Sequence, residues 1–108
     1  MRIELDAVRW SGRTRYDTAI AIAEGAVAYG ALTRSNVGLA AKLPDALTGG
    51  SLMGMRHGVL LLTDGASLTP ATKTWLTSHK MDVAEVCIFG GPLSISEAVK
   101  AQVQNALQ

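Results

Sequence analysis

Three arginines stand within seven residues in the run Arg9-Trp10-Ser11-Gly12-Arg13-Thr14-Arg15-Tyr16-Asp17. A guanidinium is a planar fork of N–H donors that matches carboxylate or phosphate oxygens. The run is polar, contains Gly12, and is followed at once by an apolar pattern of helical period. It therefore reads as a loop feeding a helix, with Arg9, Arg13 and Arg15 gathered at the junction. The N–H groups of a helix start reinforce any anion site placed there. The alternative use of the same arginines is internal, in ion pairs with Asp6, Asp17 or Asp45.

Other chemistries are poorly provided for. His57 and His79 stand near predicted helix ends beside basic residues, the usual setting of surface histidines. Ser94 and Ser96 follow Gly90-Gly91, but no Gly-x-Ser-x-Gly elbow is present. The same Gly-Gly pair belongs to no dinucleotide fingerprint, and there is no phosphate-binding P-loop motif. Asp45 and Asp64 fall on loops of one predicted edge, where they could hold a hard cation; Asp45 could equally cap its helix or pair with an arginine. Only Trp10 and Tyr16 lie near the arginines, too few aromatics for a single-stranded nucleic acid groove. Cys87 is the single cysteine, which excludes an internal disulfide and a cysteine-based zinc cluster, and its apolar surroundings suggest a core residue.

Composition sets the scale. The 108 residues are 48% hydrophobic and 18% charged, which fits one compact domain and not a disordered tail. The formal net charge of +1 gives no global attraction to nucleic acid or membrane, so anion binding must be local. Met1 to Asp6 lacks the apolar core of a signal peptide, and no apolar run approaches a membrane span. The expectation is a cytoplasmic protein or a module cut from a longer exported one.

The elements that must position the arginines follow from periodicity. Ile3 to Trp10 alternates partly and predicts a short strand. A helix opens at Thr14 or Arg15, with Asp17 in its first turn and Ala19, Ile22, Ala23, Ala26 and Val27 on one stripe. Asn36–Ala41 predicts a buried strand, and Pro44 and Asp45 open a second helix that runs to Met55 past Gly49, Gly50 and Gly54. Val59–Thr63 predicts the central strand; Thr69 and Pro70 open a third helix that ends near His79. Glu85–Phe89 predicts a further strand, and Ser94 with Glu97 has the spacing of a capping box for the last helix. Strands alternating with helices imply a single three-layer α/β domain with a mostly parallel, Rossmann-like or flavodoxin-like sheet of about four strands. The loops Gly12–Arg15, Lys42–Asp45, Asp64–Ser67 and Gly90–Ser94 then share the carboxyl edge of that sheet, the usual ligand edge.

In this order the residues resemble the cell wall-binding repeat 2 family. Its opening signature is matched by Arg9, Gly12, Arg15, Tyr16, Thr18 and Ala19. Asp45-Ala46-Leu47 matches its second-helix triplet, and Val59-Leu60-Leu61-Leu62-Thr63 its central strand. Leu68, Gly90-Gly91, Ile95-Ser96, Val99 and Leu107 match later positions, whereas Val59 replaces the usual proline and Ala41 a usual glycine. The resemblance implies a non-catalytic module of exported surface proteins, S-layer proteins among them. Such a module anchors its parent to anionic secondary polysaccharide of a Gram-positive cell wall. It implies an extracellular location, no cofactor, no metal and no membrane insertion. Such repeats usually occur in threes with threefold packing, so a single repeat is expected to form a homotrimer or to pack with sister repeats, with Gly49, Gly50 and Gly54 allowing close helix contact. Arg9 and Arg15 are then polymer contacts by motif position and Arg13 by local charge; Asp45 would orient a guanidinium and Ser94 would donate to sugar hydroxyls. The other two readings are a structural, self-assembling module and a small phosphate-ligand enzyme or nucleotide binder.

Overall fold

The computed structural model describes residues 8–108. Four helices alternate with three strands: α1 (Arg15–Ala28), β1 (Thr33–Ala40), α2 (Leu43–Met55), β2 (Gly58–Leu62), α3 (Pro70–Ser78), β3 (Glu85–Phe89) and α4 (Glu97–Ala106). All pairings are parallel, in the order β2-β1-β3, with Leu39 opposite Leu61 on one side and Ile88 on the other. Parallel strands need a crossover, which α2 supplies from β1 to its neighbour β2, while α3 carries the chain from β2 past β1 to β3 on the other side.

The alternation of side chains along the strands sorts the core into two faces. Val37, Leu39, Val59 and Leu61, with Val86 and Ile88, meet Ala23 of α1, Trp75 and Leu76 of α3, and Val99 and Val103 of α4. On the other face Met53 of α2 and the ring of Phe89 close over Gly38. Gly49 of α2 sits against that same ring, where a Cβ would fall 2.5 Å from Phe89 Cδ2. A mid-helix glycine costs about 1 kcal/mol relative to alanine. At Gly49 the cost is offset by letting α2 lie on the sheet, so this buried glycine serves packing within the domain.

Several expectations change in detail. The expected four-stranded, Rossmann-like arrangement is not what the described residues form; they make an open sheet of three strands. Most of the expected first strand, Ile3–Ala7, lies outside the described residues, and Val8–Trp10 is not a strand. Along α1 only Ala23 is fully buried; Ile20 and Val27 join it against the core, while Ile22 is turned outward. The last helix is capped by Ser96, whose Oγ accepts from Val99 N–H at 3.4 Å, and not by Ser94. Ser94 is used in the preceding turn, where its N–H and that of Ile95 both donate to the Gly91 carbonyl. Thr69 precedes Pro70 as expected, but its hydroxyl accepts from Asp64 N–H at 2.9 Å and does not cap α3.

Candidate functional site

The helix start at Arg15 is built by its neighbours. Thr14 caps α1: its Oγ1 accepts from Asp17 N–H at 3.2 Å and donates to Asp17 Oδ2 at 2.9 Å. Gly12 donates its N–H to Thr18 Oγ1 at 3.0 Å and lies so close that a Cβ there would run into Asp17. The loop before the helix is thus folded back along α1. Trp10 comes down on Gly25, ten residues beyond Arg15 and about 15 Å along the helix. Arg9, next to Trp10, is carried with it, so it is parted from Arg13 and Arg15, which stay at the helix start.

Arg15 remains at the carboxyl edge of the sheet. Its guanidinium donates to Tyr16 Oη at 2.6 Å and lies 4.6 Å from the centre of that ring. An aromatic face holds a guanidinium without neutralising it. Arg15 lines a cavity of about 460 Å³ with Lys42, Thr63, Asp64, Ser94 and Ser96. Lys42 is the residue before α2, and Ser96 the residue before α4. Three helix starts therefore face this edge, each with N–H groups of positive partial charge.

Within the cavity some polar groups are committed. Asp64 Oδ1 accepts from Ala66 N–H at 2.8 Å, and Ser96 Oγ donates to the Ala66 carbonyl at 3.3 Å. The Thr63 hydroxyl accepts from Thr69 N–H at 3.0 Å and is buried. These bonds hold the β2–α3 loop against the start of α4. The exposed cationic groups of the edge are Arg15 and Lys42.

Asp45 takes a different place from the one its charge suggested. In the first turn of α2, its Oδ2 lies 2.8 Å from the point where a Cβ on Gly90 would stand. It packs on the β3–α4 turn, and among the described residues no ion pair joins it to an arginine. Arg13 is exposed. Of the polymer-contact candidates the cavity unites Arg15 and Ser94 only; Asp64, considered with Asp45 for a cation, lines it without Asp45, and Lys42, Thr63 and Ser96 are additions. The signal for Lys42 was its place before Leu43-Pro44, a helix start on the ligand edge.

The ion pairs of the described residues all lie at the opposite, amino edge. Glu24 Oε1 accepts from Arg34 Nε at 3.1 Å and from Trp75 Nε1 at 2.7 Å; Oε2 accepts from Arg34 Nη2, and His79 Nε2 stands 3.5 Å from Oε1. The bonds from Arg34 hold the Glu24 carboxyl below the usual carboxylate range despite its partial burial, helped by Trp75. Arg56 pairs with Glu85 at 2.8 Å, which lowers the Glu85 carboxyl in the same way. Cys87 Sγ donates to Glu85 Oε1 at 3.1 Å, and that bond pushes the thiol up, away from the reactive thiolate. No group of three or more His, Cys, Asp or Glu among the described residues could hold a metal ion.

A family profile for cell wall binding domain 2 (CWB2) matches residues 9–100, which is most of the chain and includes the loop, Arg15 and all three strands. This chain belongs to the CWB2 family. Membership assigns it cell-wall binding in general and places it among binding domains. No match is found among curated proteins or among solved structures. Within the CWB2 domain, the signature residues Gly12, Tyr16 and Thr18 now have physical roles: close approach of the loop, support of Arg15, and a hydrogen bond that ties loop to helix. No helix of the described residues is long and apolar enough to cross a membrane.

Proposed function

We propose that this CWB2 domain is a non-catalytic anchoring module for the surface of a Gram-positive bacterium, and that it binds an anionic secondary cell-wall polysaccharide at the carboxyl edge of its sheet. The observation that carries the reading is the cavity in which Arg15 and Lys42 meet Ser94 and Ser96. The cations attract an acidic group and the Ser94 hydroxyl suits a sugar hydroxyl. Arg15 is the principal contact, Lys42 a second charge and Ser94 a hydroxyl partner. Arg13 and Arg9 contribute to the approach of a long polymer from their exposed positions along the loop. Asp45 supports the site through the Gly90 turn and does not touch the ligand. Each charged contact at such an exposed edge is weak and screened by salt, so useful anchoring comes from several modules engaging one polymer.

The multiplicity has a candidate surface. An apolar groove of about 610 Å³ lies between α1 and α2 along the edge strand β2, lined by Ala19, Ile22, Ala46, Leu47, Gly50 and Leu60 among others. Ile22 and Leu47 are 46% and 66% exposed. The occupant proposed for it is a second copy of this domain or a sister repeat of a longer exported parent, with a closed homotrimer as the simplest assembly of the single chain. Of the three glycines of α2, Gly50 and Gly54 line the groove and Gly49 does not.

The test is retention of the chain on purified wall polysaccharide at rising salt, with light scattering to give the mass in solution. The expected result is salt-sensitive retention that Arg15→Ala weakens. Retention on polymer stripped of its acidic groups, equal to that on the intact polymer, would sink the electrostatic reading.

A further inference from the structure

The aromatic pair on the outer side of α1 has no part in the core or in the carboxyl edge. The ideal Cβ position of Gly25 lies 2.7 Å from Trp10 Cε2, 3.0 Å from Cδ2 and 3.1 Å from Cζ2. Cδ2 and Cζ2 are the two six-ring neighbours of Cε2, so near-equal and slightly longer distances to both place that point above Cε2, over the ring face. The indole is therefore laid flat on the helix at its one gap in side-chain cover. It remains 39% exposed, and with its inner face on Gly25 that exposure belongs to the outer face and rim. Tyr29, 74% exposed, stands beside it with ring centres 5.8 Å apart and planes at 50°. The loop that delivers Trp10 to this place is pinned by the bond from Gly12 N–H to Thr18 Oγ1.

Two adjacent exposed aromatic rings, one seated on a helix glycine, form a candidate contact surface. The chain neighbours of the two rings include Val8, Arg9, Ala28 and Gly30, all exposed. A stable protein partner buries about 800 Å² per side, more than two rings and Val8 interrupted by the charged Arg9 offer. A pyranose ring asks for less: one flat aromatic face for its C–H groups, a second ring at an angle to bound it, and polar groups at the rim for its hydroxyls. Tyrosine and tryptophan provide that combination of apolar body and polar tip.

We propose that Trp10 and Tyr29 form a second carbohydrate subsite, a platform on which one uncharged hexopyranose unit of the wall polysaccharide stacks against the outer face of the Trp10 indole. The proposal rests on the cell-wall reading above and deepens it. The carboxyl edge takes an acidic group, and the platform, about 15 Å away along α1, takes a neutral sugar of the same chain. Arg9 adds charge beside the platform.

The two tryptophans make the test direct. Trp75 is 5% exposed and its Nε1–H is bonded to Glu24, whereas Trp10 is open, so iodide quenches Trp10 selectively. The purified anionic wall polysaccharide is titrated into the chain, its Trp10→Ala and Gly25→Ala variants, and Arg15→Ala. The expected result is that polymer shields Trp10 from iodide and that Trp10→Ala binds about tenfold more weakly, the loss of one stacked ring. Gly25→Ala keeps or raises helix stability yet lifts the indole off its seat, so it should lose affinity without melting earlier. The subsite is overturned if Trp10 stays open to iodide in the complex and both variants bind like the parent, even where Arg15→Ala binds weakly and the edge reading stands. Conversely, weak binding by Trp10→Ala with normal binding by Arg15→Ala supports the platform and removes the edge site. Shielding of Trp10 by raised protein concentration without polymer would make the rings an interface between copies and overturn the subsite, as would the absence of any polymer binding by the parent.

Discussion

At the amino edge of the sheet Arg34 and Arg56 are held by Glu24 and Glu85, whereas at the carboxyl edge Arg15 rests on the Tyr16 ring and Lys42 lies exposed. Both edges are built from strand ends and helix ends, and both carry arginine. The difference lies in what faces the guanidinium. At the amino edge helices end, and their carbonyls and carboxylates neutralise cations; Glu24 joins α1, β1 and α3 in one network. At the carboxyl edge helices begin, so their N–H groups add to the positive potential. Acids stand at both edges, but only at the amino edge are they paired with arginines; Asp17, Asp45 and Asp64 at the carboxyl edge form no ion pair among the described residues. The comparison also explains why few of the arginines count as binding residues: a guanidinium bonded to a carboxylate has little left for a ligand.

The largest expected effect is on stability at the amino edge. Glu24→Ala leaves Arg34 without its partner and the buried Trp75 N–H without an acceptor, and should cost about 2 kcal/mol in urea unfolding. Polymer affinity should be unchanged, and a parallel loss of binding in folded protein would break the separation of the two edges. Next is Arg15→Ala, which should weaken polymer binding about tenfold while the midpoint of unfolding stays put. Early melting of Arg15→Ala would instead return that arginine to an internal role. Lys42→Gln should give a smaller loss of affinity, about threefold, with a shallower dependence on salt because one screened charge has gone.

A pH titration sharpens the same contrast. The folded Glu24 carboxyl titrates below its ordinary value of 4.5. A depressed carboxylate contributes stability that is present above the unfolded value and lost as pH falls through the folded one. Unfolding free energy should therefore drop as pH is lowered beneath 4.5, and the drop should be smaller in Glu24→Gln. An identical acid slope in both proteins would remove Glu24 from the account. The smallest effect belongs to Arg56→Gln, whose partner Glu85 is half exposed; its melting temperature should barely move, because a solvated pair gains little.

Much of the architecture was legible from local pattern. The runs around Leu39, Leu61 and Ile88 are apolar on both faces, as strands covered on both sides must be, and all three are found as strands. Thr14 before Arg15 and Pro70 after Thr69 marked two helix starts by the chemistry of the first turn. The cap of α4 was misread because Ser94 and Ser96 both precede the helix. Only the turn closed on the Gly91 carbonyl decides that Ser96 is the one with helical residues behind it. Asp45 shows the same limit: its charge is local information, but its neighbour Gly90 is far away in the chain.

The sequence alone determined the family, the succession of helices and strands, and the presence of an arginine-rich loop before the first helix, because these depend on residue type and on spacings of a few residues. Tertiary structure decided which arginine lines the carboxyl-edge cavity. The loop doubles back along α1, held by the Gly12–Thr18 bond and by the seating of Trp10 on Gly25, so neighbours in sequence are set far apart in space. The converse holds for Arg15, Lys42 and Ser94, distant in sequence and brought to one cavity. Parallel strands return the chain to the same edge after every crossover, and that long-range closure leaves no trace in the local pattern of any one segment.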